Sequence, residues 1–387
     1  MEMRHGHVQP WGERTMKRLL LGIGLLPVLA ASGSAETWQA TNWMAPAHIL
    51  NEFPYQQFAK DVAEATDGAM EFEIYSSGAL VPAPTTMQGI ADGVAQLGIV
   101  YPPYTPSELP LNNTVNDLAF VAKDDLAAAF AWTELALTNE KIRAEWARNG
   151  GIFLGGYSTP FYNFICMGEI VSPKDVAGKK VRVAGTAQTE WIQSLGGVPV
   201  SVPIADVYSG LERGSIDCTL SDATNLDKGN KFWEVAKTVN VLPQGVVLGA
   251  TYVFNKDFWA GLEPAQRRVL LDNIALGLAR SQVAYHVGVE AALAGSAERG
   301  LKIGEPTQEL QDTLAAFQAQ VVEKLPAKAV AERGIEDPTD VLEEFVALEE
   351  KWRALVADVD RTDADAVAAI LKANLYDKID ENTFGVE

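Results

Sequence analysis

Strand and helix patterns alternate along the chain from Trp38 onward. Residues 70–75 form the clearest strand pattern, because Met70, Phe72 and Ile74 alternate with glutamates. Residues 55–66 have helical spacing that ends at Asp67-Gly68, and a second strand-helix series begins near Gly151. Such alternation predicts an α/β architecture.

One helical pattern is much longer than the others and runs from Pro264 to about residue 299. Its apolar residues recur at three- and four-residue steps, as on one helix face: Val269, Leu270, Ile274, Leu278, Val283 and Val287. A helix of this length extends about 50 Å, which is longer than one small lobe. We therefore expect it to brace two lobes, and a chain of 387 residues also suits two lobes better than one core.

The charge of the chain excludes several classes of partner. Asp and Glu number 51 against 31 Lys and Arg, which gives a formal net charge of -20. Such an acidic surface argues against binding to nucleic acid or to an anionic membrane. An anionic ligand would need a locally positive site.

The N-terminus has the pattern of an export signal. Lys17-Arg18 precede an apolar run over residues 19–29, and Gly33-Ser34-Ala35 form a small-residue cleavage site. The run is too short to span a bilayer, although an uncleaved anchor is the alternative. We expect residues 1–15 to be an upstream extension, residues 16–35 to be a signal peptide, and the mature protein to be soluble in the periplasm.

Residues suited to catalysis or metal binding are scarce. After residue 35 the chain has two histidines, His48 and His286, and no metal-binding, nucleotide-binding or catalytic motif. The sequence therefore favours a protein that is not an enzyme. Cys166 and Cys218 can pair in an oxidising compartment, but two separate cysteines buried in strands are the commoner arrangement.

Several short motifs carry a family resemblance. In chain order they are FA at 58–59, TDG at 66–68, DLAF at 117–120, VSPKDVAGKKVRV at 171–183, GGVP at 196–199, DVYSGLERGSID at 206–217, FWEV at 232–235 and NKDFW at 255–259. In this order and spacing they resemble the substrate-binding proteins of tripartite ATP-independent periplasmic (TRAP) transporters, the C4-dicarboxylate-binding family.

The resemblance implies a two-lobed periplasmic-binding-protein fold with a ligand cleft between the lobes and no cofactor. It predicts one lobe from residues 36–157 plus about 246–284, and another from 158–245 plus about 285–387 with the C-terminal helices. It also implies two kinds of partner: a small organic acid, and the small and large membrane subunits of the permease.

Arg182 is the residue that the resemblance assigns to the ligand carboxylate. It lies near the end of an apolar strand pattern, just before Gly185-Thr186 and a helix start. A guanidinium there can hold a carboxylate through two parallel hydrogen bonds. The alternative is an ordinary salt bridge, since acidic residues are plentiful.

Departures from the family pattern bear on the substrate. The family's pocket asparagine falls on Ser221, a second arginine falls on Tyr162, and an aromatic wall position falls on Ile204. Positions that carry polar groups in sugar-acid binders fall near aromatic or apolar residues: Trp43, Val81, Val100 and Tyr101, with Tyr104 close by. These residues favour a monocarboxylate with an aromatic or apolar, benzoate-like body.

Other functions stay open at this point. The ligand can instead be a 2-oxo or hydroxy acid, a dicarboxylate or a sugar acid. The chain can also be the receptor of an ATP-driven (ABC) transporter, a chemosensory binding protein, or a structural protein without a ligand.

Overall fold

Two β-sheets organise residues 36–386, which are the part of the chain that this computed structural model describes. The strands are β1 (Glu36–Thr41), β2 (Met70–Tyr75), β3 (Leu97–Val100), β4 (Gly151–Ser158), β5 (Asn163–Cys166), β6 (Lys180–Val183), β7 (Val198–Ser201), β8 (Cys218–Ser221), β9 (Thr238–Asn240), β10 (Leu248–Asn255) and β11 (Lys302–Gly304).

Helices cover the sheets and connect their strands. They are α1 (Ile49–Asn51), α2 (Phe58–Ala65), α3 (Thr86–Ala91), α4 (Pro110–Leu118), α5 (Asp125–Thr138), α6 (Glu140–Arg148), α7 (Pro173–Val176), α8 (Thr186–Ser194), α9 (Val207–Glu212), α10 (Lys256–Gly261), α11 (Pro264–Glu298), α12 (Gln308–Arg333), α13 (Thr339–Leu355) and α14 (Ala364–Asn374). A π-helical turn spans Glu52–Gln57, and 3-10 turns span Ala83–Thr85, Pro102–Tyr104, Ala119–Val121, Ile204–Asp206, Ala223–Leu226, Phe232–Glu234 and Tyr376–Lys378.

Each sheet forms the centre of one lobe. The first lobe has the strand order β2-β1-β3-β10-β4, and the second has β11-β9-β5-β8-β6-β7. The chain passes between the sheets three times: between β4 and β5, between β9 and β10, and through α11 between β10 and β11. The first two crossing segments are hydrogen-bonded to each other. Thr159 N donates to Val247 O at 3.0 Å, and Tyr162 N donates to Gly245 O at 2.9 Å. Gly245 has φ +79°, and a Cβ there would overlap the backbone of Phe120.

The long helix α11 has 35 residues, which corresponds to about 52 Å. It packs against β4 of the first lobe and against β11 and the 223–226 turn of the second. Leu270, Ile274 and Leu278 are buried as predicted, whereas Val287 is exposed. The predicted α/β fold with two lobes and a long bracing helix is confirmed.

The last two helices lie on the first lobe, although the predicted boundaries place them with the second. Helix α13 packs along α5, where Trp352 Nε1 donates to the carboxylate of Glu134 at 2.7 Å. The Tyr376 hydroxyl donates to Leu154 O of β4 at 2.7 Å. Burial of these aromatic rings against α5 and β4 determines where this segment packs. The other lobe boundaries stay a prediction.

Two helix boundaries differ from their sequence patterns. The Ala-rich stretch 124–148 has the pattern of one continuous helix. Asn139 divides it, because its side chain accepts hydrogen bonds from Lys141 N and Ile142 N and so caps α6. Helix α12 continues past Pro326 to Arg333, although a proline usually ends a helix. Buried Leu325 and Ala329 on either side of the proline keep it in register with its neighbours.

Cys166 and Cys218 lie opposite each other in β5 and β8, and the structure joins them in a disulfide. The sequence favoured two separate cysteines, because spacing alone does not reveal that the two strands are neighbours. The predicted extension and signal peptide, residues 1–35, lie outside the described residues. No helix within residues 36–386 is long and apolar enough to cross a membrane.

Candidate ligand-binding site

A small cavity lies where the carboxyl ends of parallel strands from both sheets meet. Strands β1 and β3 run parallel in the first sheet, and β6 and β8 run parallel in the second. The segments that follow these strands contribute Trp43, Tyr101, Ala184 and Asp222 to the cavity wall. The crevice beyond the carboxyl ends of parallel strands is the usual place for a ligand in an α/β protein.

The cavity is lined mainly by aromatic and apolar side chains. Its volume is about 20 Å³, which is room for little more than one or two water molecules. Its walls comprise Trp43, Met44, His48, Leu50, Tyr101, Tyr104, Tyr157, Thr159, Tyr162, Arg182, Ala184, Ile204, Asp222, Asn225, Val247 and Tyr285. Five of these residues are tyrosines, so the walls combine flat apolar faces with hydroxyl groups.

Arg182 is the cation of this cavity. It lies in β6 and is only 1% exposed. Its Nε donates to Val202 O at 3.0 Å and one Nη donates to Leu220 O at 3.4 Å. These two carbonyls fix the plane of the guanidinium.

The charge of Arg182 has no protein counter-ion within residues 36–386. None of the ion pairs in that part of the chain includes it. Burial acts to lower the pKa of Arg182, but the phenols of Tyr104 and Tyr162 outweigh burial and raise the pKa above its ordinary value. The guanidinium is therefore charged, and a buried charge is costly unless something pairs with it.

Tyr104 connects the two lobes beside Arg182. Its hydroxyl oxygen accepts hydrogen bonds from Arg182 Nη at 2.9 Å and from Ile204 N at 3.0 Å. Both lone pairs of the phenol are then used, which leaves its hydrogen free to donate. The Tyr104 ring packs edge-on against Tyr101, whose own hydroxyl donates to Ala184 O at 2.8 Å. A bound carboxylate next to Arg182 can thus receive a further bond from Tyr104.

A second polar group lies at the end of β8. Asp222 is 1% exposed and accepts hydrogen bonds from Thr224 N at 3.0 Å, from the Thr224 hydroxyl, and from Asn225 Nδ2 at 2.6 Å. Burial raises the pKa of Asp222 to about 6, against the effect of these hydrogen bonds. Asn225 also donates to Ser221 Oγ at 3.0 Å.

His48 lies beside this group and is neutral. Its Nδ1 accepts from Leu50 N at 3.1 Å, and its side chain is hydrogen-bonded to Asn225. Burial lowers the pKa of His48 to about 4, and the Asn225 hydrogen bond offsets only part of that effect. The cavity therefore has one cation, Arg182, and one acid, Asp222.

Comparison with known proteins identifies the family of the chain. The family model of the bacterial extracellular solute-binding proteins, family 7, matches residues 40–328. The chain belongs to this family. It is therefore a solute receptor for transport rather than an enzyme, as the resemblance implied.

A curated relative and two solved structures illustrate the likeness. A solute-binding protein of Chromohalobacter salexigens is 23% identical over 312 residues, which cover 78% of this chain and 87% of the relative. A marine metagenome TRAP solute-binding protein specific for aromatic acid ligands, in complex with 3-hydroxybenzoate, has a TM-score of 0.73 and 20% identity, and covers 82% of this chain and 99% of its own. A Bordetella pertussis extracytoplasmic solute receptor binding pyroglutamic acid has a TM-score of 0.68 and 22% identity, and covers 81% of this chain and 100% of its own.

The structure brings together most of the side chains that the sequence selected in this receptor. Six of them line the cavity: Trp43, Tyr101, Tyr104, Tyr162, Arg182 and Ile204. Ser221 does not line it, and instead accepts a hydrogen bond from Asn225 behind the wall. Val81 packs against Gly89 of α3, and Val100 is buried in β3, so neither forms part of the wall. A ligand role for the six residues stays a prediction.

Sequence reasoning missed the polar part of the wall. Asp222 directly follows strand β8, just as Ala184 directly follows β6. Its position after a parallel strand was therefore a signal that could have identified it as a site residue. Tyr157, Tyr285 and His48 come from β4, from α11 and from the residue before α1, and no motif connects them. The cavity is consequently more polar than predicted.

Opposite pKa shifts of Asp222 and His48 predict a specific pH response. The folded protein holds the Asp222 proton more tightly than the unfolded chain does, so Asp222 lowers stability as the pH rises from about 4 to 6. The pKa of His48 is depressed in the folded state, so His48 raises stability as the pH rises from about 4 to 6.5. The two effects oppose each other in wild type.

The variant Asp222→Asn removes the contribution of Asp222 to the pH dependence of stability and keeps the opposing contribution of His48. Between about pH 4.5 and 6.5 the variant should gain more free energy of unfolding than wild type, by about 1–2 kcal/mol. Urea unfolding of both proteins at the two pH values measures this difference, in which all other groups cancel. Equal gains in the two proteins would show that Asp222 does not have a raised pKa.

Proposed function

We propose that this chain is the periplasmic receptor of a TRAP transporter and that it captures a monocarboxylate with an aromatic or compact apolar body. The observation that supports this most strongly is Arg182, a charged guanidinium 1% exposed, without a counter-ion within residues 36–386, facing a cavity of aromatic side chains. A ligand carboxylate would supply the missing charge through two hydrogen bonds, with a third from Tyr104.

The charges in the cavity favour one carboxylate rather than two. Arg182 is the one cation that residues 36–386 contribute to the cavity wall, and a single ligand carboxylate matches its charge. A second ligand carboxylate would need another cation, and Tyr162 stands where many relatives have an arginine. Burying an unpaired carboxylate costs several kcal/mol, and Asp222 would add repulsion. We therefore expect C4-dicarboxylates to bind more weakly than monocarboxylates.

The walls favour a flat or compact body. The rings of Trp43 and Tyr104 lie 5.5 Å apart, and those of Tyr101 and Tyr104 lie 4.9 Å apart. Aromatic faces gain most from burying another apolar group. A sugar acid would instead present several hydroxyls, each of which needs a partner in a closed site.

A small hydroxy or 2-oxo acid is the second candidate. The observation that favours it is the cavity volume of about 20 Å³. A benzoate-sized ring fits only if the lobes separate or the tyrosine rings turn, whereas a three-carbon acid needs less movement. Ligand size therefore distinguishes the two candidates.

A thermal-shift and calorimetry panel tests the proposal. It comprises benzoate, 3-hydroxybenzoate, lactate, pyruvate, succinate and glucuronate. A ligand present at 100 times its Kd should stabilise the protein by about 2.7 kcal/mol. We expect an aromatic monocarboxylate to bind most tightly, and lactate or pyruvate to do so if the second candidate is right. Succinate or glucuronate binding ten times more tightly than every aromatic acid would contradict the monocarboxylate proposal.

Delivery to a permease completes the proposed role. Export through the N-terminal signal would place the receptor in the periplasm, where it would meet the small and large membrane subunits. Uptake by vesicles that contain those subunits should require this protein and the bound acid. Uptake driven by ATP hydrolysis would instead indicate a receptor of an ABC transporter.

A further inference from the structure

Asp222 has a position that its local structural role does not explain. Its side chain caps the 223–226 turn by accepting from Thr224 N. Capping needs only a small polar acceptor, which serine or asparagine also provides. Asp363 performs the same task for α14 at an exposed position. Asp222 instead places a carboxyl group, 1% exposed, in the wall of the cavity that contains Arg182.

The carboxylate of Asp222 keeps an acceptor site free. An ionised carboxylate offers about four lone-pair sites. One oxygen accepts two bonds from Thr224, and the other accepts one from Asn225, so about one site remains. Within residues 36–386 no Lys, Arg or His forms an ion pair with Asp222, so neither charge nor hydrogen bonding is fully met by the protein.

We propose that Asp222 is a specificity-determining residue that accepts a hydrogen bond from the ligand, so that the ligand carries a hydroxyl, N–H or ammonium group besides its carboxylate. This rests on the proposed function, in which Arg182 holds the carboxylate. Arg182 and Asp222 then recognise two ends of one molecule. An acid with a single carboxylate and no donor leaves the remaining acceptor site of Asp222 without a partner in a closed cavity, and this lowers the affinity for that acid.

Matched ligand pairs measure this effect without a prior identification of the ligand. The pairs differ only in the donor: 3-hydroxybenzoate and benzoate, mandelate and phenylacetate, phenylglycine and phenylacetate, and pyroglutamate and 3-oxocyclopentanecarboxylate. They separate phenol, alcohol, ammonium and lactam N–H donors. In calorimetry, wild type should bind the donor-bearing member of at least one pair tenfold or more tightly, as expected for a hydrogen bond to a charged group.

Asp222→Ser is the principal variant, because serine keeps the cap and removes the carboxylate. It should bind both members of that pair within threefold of each other. Asp222→Asn, which keeps the size of the side chain, should reduce the preference in the same way and serves if the serine variant does not fold. Asp363→Ser is the matched control, since it alters an exposed capping aspartate that is not part of the cavity wall, and it should keep the wild-type preference.

Each outcome decides between the two proposals. A wild-type preference that Asp222→Ser and Asp222→Asn abolish supports the inference. If wild type binds both members of every pair equally, or if the variants keep the preference, Asp222 does not select the ligand, although the carboxylate site at Arg182 stands. If wild type binds no acid in any pair, the proposed function fails and the inference fails with it.

Discussion

Arg182→Ala should abolish ligand binding and leave the protein folded. The two Nη groups of Arg182 are the strongest donors in the cavity, and a charge-assisted pair lost from a closed site costs about 2–5 kcal/mol. This corresponds to a loss of affinity of about 30-fold to several thousand-fold. The ligand-free variant should keep much of its stability, because it no longer buries a charge without a counter-ion. Isothermal titration with the tightest acid of the panel measures the loss.

Two further variants separate binding from structure. Arg182→Lys should recover only part of the affinity, since an ammonium group lacks the planar fork of a guanidinium. Arg267→Ala is the matched control, because Arg267 is also buried but donates to the carbonyls of Leu262 and Glu381. It should lower the melting temperature without changing the Kd. Affinity within threefold of wild type for Arg182→Ala would rule out the carboxylate site.

Breaking the contact between the lobes at Asp117 should weaken ligand binding, although Asp117 does not line the cavity. Asp117 belongs to α4 of the first lobe and accepts from Ala187 N, at the start of α8 in the second lobe, at 3.0 Å. It also pairs with Arg333 of α12, which donates to Thr186 as well. The side chains of Arg333 and Asp117 are 15% and 7% exposed, so this ion pair is largely desolvated. Removing one partner of such a pair costs about 3–5 kcal/mol.

Arg333→Ala removes this pair without touching the cavity. If Arg333→Ala makes the closed arrangement of the lobes less populated, the apparent affinity falls in proportion to that population. We expect a loss of affinity of tenfold or more. Small-angle X-ray scattering should show a larger radius of gyration without ligand and the wild-type value at saturation. Arg361→Ala is the control, since Arg361 pairs with Asp124 on the first lobe. Unchanged affinity and radius for Arg333→Ala would show that the contact does not hold the lobes together.

Much of the fold follows from local pattern. Met70–Tyr75 and Pro264–Glu298 were predicted almost to the residue, because strict alternation and sustained helical spacing are strong signals. The sequence predicts that a second strand-helix series begins near Gly151, but not the extent of strand β4, Gly151–Ser158. This strand is buried on both faces and has three glycines, so it shows no alternation. The placement of α13 and α14 also escaped prediction, since long-range packing decides it.

The site residues also fall into two groups: those that a local motif identifies and those that only long-range packing brings together. Arg182 was predicted from a motif. Tyr104, which accepts from its guanidinium, and Ile204, which donates to Tyr104, lie in segments that the sequence also selected. Asp222 and Tyr285 belong to the wall only because β8 and α11 converge there, and no single segment contains that information. Ser221 was selected by its position in a motif, yet it lies one residue away from the acid that reaches the cavity.

The most direct measurement is a crystal structure of this receptor with the tightest-binding acid of the panel. We predict one carboxylate within about 2.7–2.9 Å of the Arg182 guanidinium nitrogens. We also predict a hydrogen bond from Tyr104 to that carboxylate, and the body of the ligand against Trp43 and Tyr101. A carboxylate bound elsewhere, with Arg182 paired only to protein groups, would contradict the proposed site.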